Sequence, residues 1–203
     1  MEKIERTEAP EWLEEKWEEC GKEWDEKYKK NKRSSFEWRR YKKKGYEDLL
    51  EKLSEMTQHH CSFCDSYPMR GRMKPTIEHF RPKTKFPHVA YKWDNLFLCC
   101  YLCQEKGDKF DDRLLKPDDY YYSFDKYFDI NWETGELEAN EDASEEDKER
   151  AKITIKLYRL NCNGKPDDRL EELGKFEESN AFNIDKSSYR FFIKRGSDSR
   201  SGH

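Results

Sequence analysis

The stretch TIEHFRPKTKF, residues 76–86, puts a carboxylate and an imidazole side by side, Glu78 and His79, at the end of a short apolar lead-in. Cations follow at Arg81, Lys83 and Lys85. The stretch is bracketed by CSFC at 61–64 and CCYLC at 99–103. Cys61-x-x-Cys64 and Cys100-x-x-Cys103 are two knuckles separated by 35 residues. Paired knuckles around a small module suit a tetrahedral Zn2+ with Zn–S bonds of about 2.3 Å. Four thiolates leave no open coordination position, so this zinc is expected to be structural. Cys99 reads as a buried strand residue beside the cluster, and Cys20 and Cys162 as plain thiols.

Outward from this centre, the composition bounds the answer. The chain has 203 residues, 41% of them charged and 34% hydrophobic, with a formal net charge of −4. Aromatic residues reach 15%, and each can bury a large area. The expectation is a folded protein with a thin, aromatic-rich core that gains from a metal staple. A single valine amid abundant Glu, Lys, Arg and Leu favours helices over extensive sheet. No apolar run is long enough for a membrane span, and MEKIERTEAPEW has no apolar leader. The predicted location is cytoplasmic, away from membranes. In a reducing compartment, seven cysteines point to metal ligands or buried thiols. Charge is unevenly spread: Lys27–Lys44 holds ten Lys/Arg and one acid, and Met69–Lys92 seven and one. Clustered cations of this kind fit a nucleic-acid partner despite the acidic total.

Four regions follow. Residues 1–58 read as helical: Trp12, Leu13, Trp17, Cys20 and Trp24 line one face. A second helix is predicted from a cap at Ser34-Ser35, with Phe36, Trp38, Tyr41, Tyr46, Leu49, Leu50 and Leu53 as its apolar members. It is broken or kinked at Gly45 and ends near Met56–His59. Residues 59–116 hold the knuckles, a strand ending at 77–78, a loop over 81–94, a strand near 96–99 and a helix over 101–114. Lys116–Asp119 reads as a boundary. In 117–180, YFDINWETGELEAN predicts a hairpin turning at 133–135, Ser144 with Asp147 caps a helix, and a last helix spans 167–176. The tail, 181–203, reads as polar and partly disordered.

Glu78, His79, Asn95 and Gln104, set between and after the knuckles, are the candidate chemistry. In their spacing, CxxC, Glu-His, Asn-Leu, CxxC and then an amide and a lysine, the chain resembles the HNH endonucleases. The segments IEHFRPK, YKWDNLFL and KGDKF are similar to the HNH proteins of antiphage defence, the PtuB subunits of Septu systems and their retron-linked relatives. This likeness covers roughly residues 1–175 and is softer in the flanks. It implies a mainly α fold, a helical frame around a zinc-stapled ββα-metal finger with a small β-hairpin. It implies a metal-dependent nuclease in which His79 takes a proton from water, since an imidazole titrates near neutrality. Glu78 and the Gln104 amide oxygen would hold Mg2+ or Mn2+, which take oxygen ligands. Asn95 would fix the loop and orient the histidine. Arg81, Lys83 and Lys106 would meet phosphates of nucleic acid, DNA before RNA. The implied partner is a PtuA-type ATPase subunit. Two departures stand out: Gln replaces Asn or His at 104, and Lys106 follows it by two residues instead of three. A non-catalytic zinc module that only binds nucleic acid or a partner is the rival reading, and an RNA- or tRNA-directed nuclease a third.

Overall fold

Two short strands lie at the centre of the molecule, and the order of buried and exposed residues along them explains why. The computed structural model describes residues 1–38, 45–69, 74–179 and 181–201, with side chains through 197. Strand β1 (Pro75–His79) pairs antiparallel with β2 (Leu96–Cys100), in a register that sets Glu78 opposite Phe97 and His79 opposite Leu96. All five residues of β2 are buried, so this strand is covered on both faces. Such a strand reads as a continuous apolar run, as LFLCC does.

Helix α1 (Glu11–Lys30) lays Leu13, Cys20 and Trp24 toward the core. Its Gly21 makes a close approach possible: a Cβ there would lie 2.5 Å from the His88 carbonyl oxygen. Trp24 Nε1 donates to the Lys83 carbonyl at 2.9 Å, so α1 holds both ends of the loop after His79. Helix α2 (Gly45–Met56) buries Leu49 and Leu53. The predicted second helix therefore starts late. Residues 34–38 are not helical, and the part of that prediction at 39–44, Tyr41 included, lies outside the described residues. Within the described residues α2 runs unbroken from Gly45 to Met56, and the predicted break or kink at Gly45 adjoins residues outside them. Gln58 and His59 take positive φ angles and end it where expected.

Helix α3 (Tyr101–Gln104) is much shorter than the predicted 101–114 helix. The chain leaves it because Lys106 turns inward and Gly107 takes a φ of 55°, which a helix cannot accommodate. After α4 (Phe124–Tyr127), β3 (Phe128–Ile130) and β4 (Leu137–Ala139) form the expected hairpin. Helix α5 (Glu145–Leu157) is capped by Ser144, whose side chain accepts from the Asp147 N–H. Helix α6 (Lys165–Glu178) covers the predicted 167–176 segment. The segment 116–119 receives the N-terminal arm: Ile4 N–H donates to Pro117 O, and Arg6 pairs with Asp118 at 2.8 Å.

Part of the predicted tail is helical and packed. Helix α7 (Arg190–Ser201) carries Phe191, Phe192 and Ile193 buried in its first turn, with Tyr189 buried just before it. Arg190 grips Asp65, one residue past Cys64, with Nη2 to Oδ1 at 2.7 Å. The polar residues after 194 hid four apolar ones before them. Among the described residues, no helix is long and apolar enough to cross a membrane.

Candidate metal centre and catalytic site

The first knuckle is a turn pinned to β2. Ser62 N–H donates to Leu98 O at 2.9 Å, and Asp65 N–H donates back to Cys61 O at 2.9 Å. The second knuckle joins β2 to α3, where the Cys100 sulfur accepts from Cys103 N–H at 3.5 Å. Cys61, Cys64, Cys100 and Cys103 are all buried, and their sulfurs all lie within 4.8 Å of one another. Cys64 Sγ and Cys100 Sγ are 3.7 Å apart. A tetrahedral zinc with bonds of about 2.3 Å has S–S edges of about 3.8 Å, so the four thiols fit a metal ion such as Zn2+. Cys100 N–H points at Cys61 Sγ at 3.4 Å, and Ser66 Oγ is 3.0 Å from Cys64 Sγ. Such hydrogen bonds orient and stabilise thiolate ligands. Cys99 is a buried strand residue, Cys20 is buried and Cys162 is exposed.

Phe63, inside the first knuckle, stacks on Tyr158 at 3.8 Å between ring centroids and tilts against Phe97 at 5.5 Å. The end of α5 thus presses the knuckle onto β2. His60 belongs to this structural layer, not to the metal. Its ring nitrogens face the carbonyls of Gln58 and Ser187 at 2.7 and 3.0 Å.

Glu78 and His79 are consecutive on β1, so their side chains leave opposite faces. His79 is only 5% exposed. Trp38 stacks on its ring at 5.2 Å and 16°, and Phe36 meets it edge-on at 5.0 Å. Phe36 is itself held by Trp24 and Tyr91, at 5.0 and 4.9 Å. Burial pushes the His79 pKa well below the usual imidazole value; Lys83 and Lys106 push the same way, and a hydrogen bond to the Ala90 backbone opposes them. Nε2 is buried with no hydrogen-bond partner. A neutral imidazole with one nitrogen anchored and the other unspent is the form a general base needs. Phe36 and Trp38 were assigned to a helix from sequence; their spacing in FEW gave no sign that they would cover the histidine.

Asn95 bonds to the backbone on both sides of the loop after His79. Its Oδ1 accepts from Arg81 N–H at 2.7 Å, and its Nδ2 donates to the carbonyls of Arg81 and Val89, both at 3.1 Å. One side chain thus ties the residues just after His79 to the turn before Ala90.

Glu78 is buried, with its Oε1 in an ion pair with Lys106 Nζ at 2.8 Å. Desolvation pushes its pKa up to about 7, against the pull of Lys106. Lys106 is therefore not the surface phosphate contact that the sequence suggested: its side chain is 0% exposed. Gln104 is half-buried, and its amide nitrogen donates to Ile77 O at 3.3 Å. Among the described residues, the four cysteines are the one cluster of three or more His, Cys, Asp or Glu set to hold a metal; Glu78 and His79 do not form another. Arg81 is exposed, its guanidinium over Phe86 and Phe110 at 5.4 and 5.8 Å. Lys83 is half-buried, with its ammonium 5.3 Å from the Phe36 ring centroid. The sequence-predicted set thus gathers around one hairpin, with Lys106 on Glu78, Gln104 on the Ile77 carbonyl, and Asn95 tying the loop that follows His79.

No protein-family model matches the chain, and a search of curated proteins finds no relative.

Proposed function

We propose that the protein is a metal-dependent HNH-type endonuclease that hydrolyses phosphodiester bonds in nucleic acid, with DNA as the first substrate to test. The observation that carries the reading is His79 at the end of β1, neutral, with Nε2 unspent and its loop tied by Asn95, on a hairpin stapled by four cysteines. In this reading His79 takes the proton of the attacking water. Asn95 holds the loop so that the imidazole faces the phosphate. Arg81 and Lys83 neutralise charge on the backbone. Glu78, with the amide of Gln104, would hold Mg2+ or Mn2+, which when bound stabilises charge on the transferring phosphoryl group. The resemblance to PtuB-type proteins extends the proposal to antiphage defence beside a PtuA-type ATPase.

One pair of observations favours the rival, a zinc module that binds without cutting. Aromatic rings cover His79, and a lysine occupies Glu78. Supercoiled plasmid and a structured RNA, incubated with zinc-loaded protein in Mg2+ or Mn2+, with and without the ATPase, decide between them. The nuclease reading expects nicking that disappears in His79→Ala. Binding without cleavage in every combination would favour the module, and cleavage of RNA alone would move the substrate class.

A further inference from the structure

The ammonium of Lys106 sits among four oxygens. Glu78 Oε1 is 2.8 Å away, and the carbonyl oxygens of Phe80, Gly107 and Lys109 lie at 3.4, 3.3 and 3.3 Å. One carboxylate and three backbone carbonyls, drawn from β1, its loop and the turn after α3, make the donor set that hard divalent cations take. The geometry points to a surrogate: we propose that Lys106 is an internal stand-in cation that occupies the oxygen cage at Glu78 and is expelled when a divalent ion binds there. The proposal rests on the assignment of Glu78 as a metal ligand in the nuclease reading.

Three physical arguments support one-for-one exchange. A buried carboxylate left without a cation is costly and would take up a proton, so a resident cation keeps Glu78 ionised between ions. An ammonium and a divalent ion on one buried carboxylate would repel strongly in a low-dielectric site, so both cannot stay. Lysine is also the cation suited to leaving, with a flexible four-carbon stem and an ammonium that hydrates strongly. The adjoining Gly107, in the left-handed region at a φ of 55°, puts a residue without a side chain where the stem must swing. The cost of expelling Lys106 then lowers the apparent affinity for the ion, as with any site whose competent form is a minor one.

The test uses zinc-loaded full-length protein and MnCl2 as the probe, read by the loss of the free Mn2+ signal in electron paramagnetic resonance. Lys106→Met should bind one Mn2+ at least about tenfold more tightly than the parent. The double variant K106M/E78Q should lose that gain. In the parent protein, acylation of lysines followed by peptide mass spectrometry should find Lys106 protected without Mn2+ and reactive at saturating Mn2+. The labelling arm decides the matter if K106M does not fold. The proposal is overturned if Lys106 stays protected at saturation, if K106M binds no more tightly, or if the gain survives E78Q. None of these readouts measures cleavage. A chain that exchanges Lys106 for Mn2+ and cuts nothing would sink the nuclease reading and leave the exchange standing; His79-dependent cleavage with Lys106 still protected would do the reverse.

Discussion

His79 is the residue on which the proposed chemistry turns, and its surroundings make two measurable claims. Burial disfavours the imidazolium, so the folded-state pKa lies below the ordinary value and the ring stays neutral as pH falls through 6.5. Ring resonances followed by NMR from pH 7.5 to 5.5 should be flat for His79. In Trp38→Ala the His79 ring gains water, and its pKa should rise toward the ordinary value. A His79 that titrates near 6.5 in the parent would show that the aromatic cover is not in place. Asn95 supports the same site through three hydrogen bonds to the backbone of Arg81 and Val89. Asn95→Ala should cost about 2 kcal/mol in urea unfolding, because backbone groups are left unpaired, and it should lower any cleavage rate. At this scale the four-cysteine cluster was legible from its spacing, while Glu78, His79 and Asn95 stood out by their place between the knuckles and by resemblance. The partners were not. That Lys106 folds back onto Glu78, and that Phe36 and Trp38 lie over His79, depends on turns with no periodic signature.

Elements position these residues, and the errors of sequence reading fall where elements end. The core strands, the hairpin, α1 and α5 were readable because apolar spacing and a Ser144 cap specify them locally. Helix α3 was overextended because its residues favour a helix, while the pull of Glu78 on Lys106 comes from a strand far back in sequence. Helix α7 was missed because its first turn is apolar and the rest polar, and what fixes it is tertiary: Arg190 on Asp65. Removing one partner of a buried ion pair leaves the other uncompensated, so Arg190→Ala should destabilise by about 3 kcal/mol. It should also speed zinc release to a chelator, since Asp65 adjoins Cys64. Stability and release rates equal to the parent would show that α7 does not brace the knuckle. On the other side, Gly21→Ala has no room against His88 O and must push α1 away. The expected results are a lower melting temperature and faster acylation of Lys83, whose loop α1 holds through Trp24.

For the whole molecule, a metal held by the four cysteines would share the burden of stability with the aromatic core. A chain with 34% hydrophobic residues has little apolar area to spare, and a structural zinc contributes folding energy directly. Stripping the ion with a chelator, or replacing Cys103 with Ser, should lower the melting temperature sharply and loosen β1 against β2. The chain-wide charge of −4 said little about a partner; the informative feature is local, with Arg81 and Lys83 on the loop beside His79. The central claim is that this histidine is a general base held under Phe36 and Trp38. The most direct test is plasmid cleavage in Mn2+ by zinc-loaded Trp38→Ala protein against the same protein carrying His79→Ala as well. Faster nicking than the parent in the first, and none in the second, is the predicted result. Equal cleavage by both variants would contradict it, because the phosphodiester would then be broken by something other than His79.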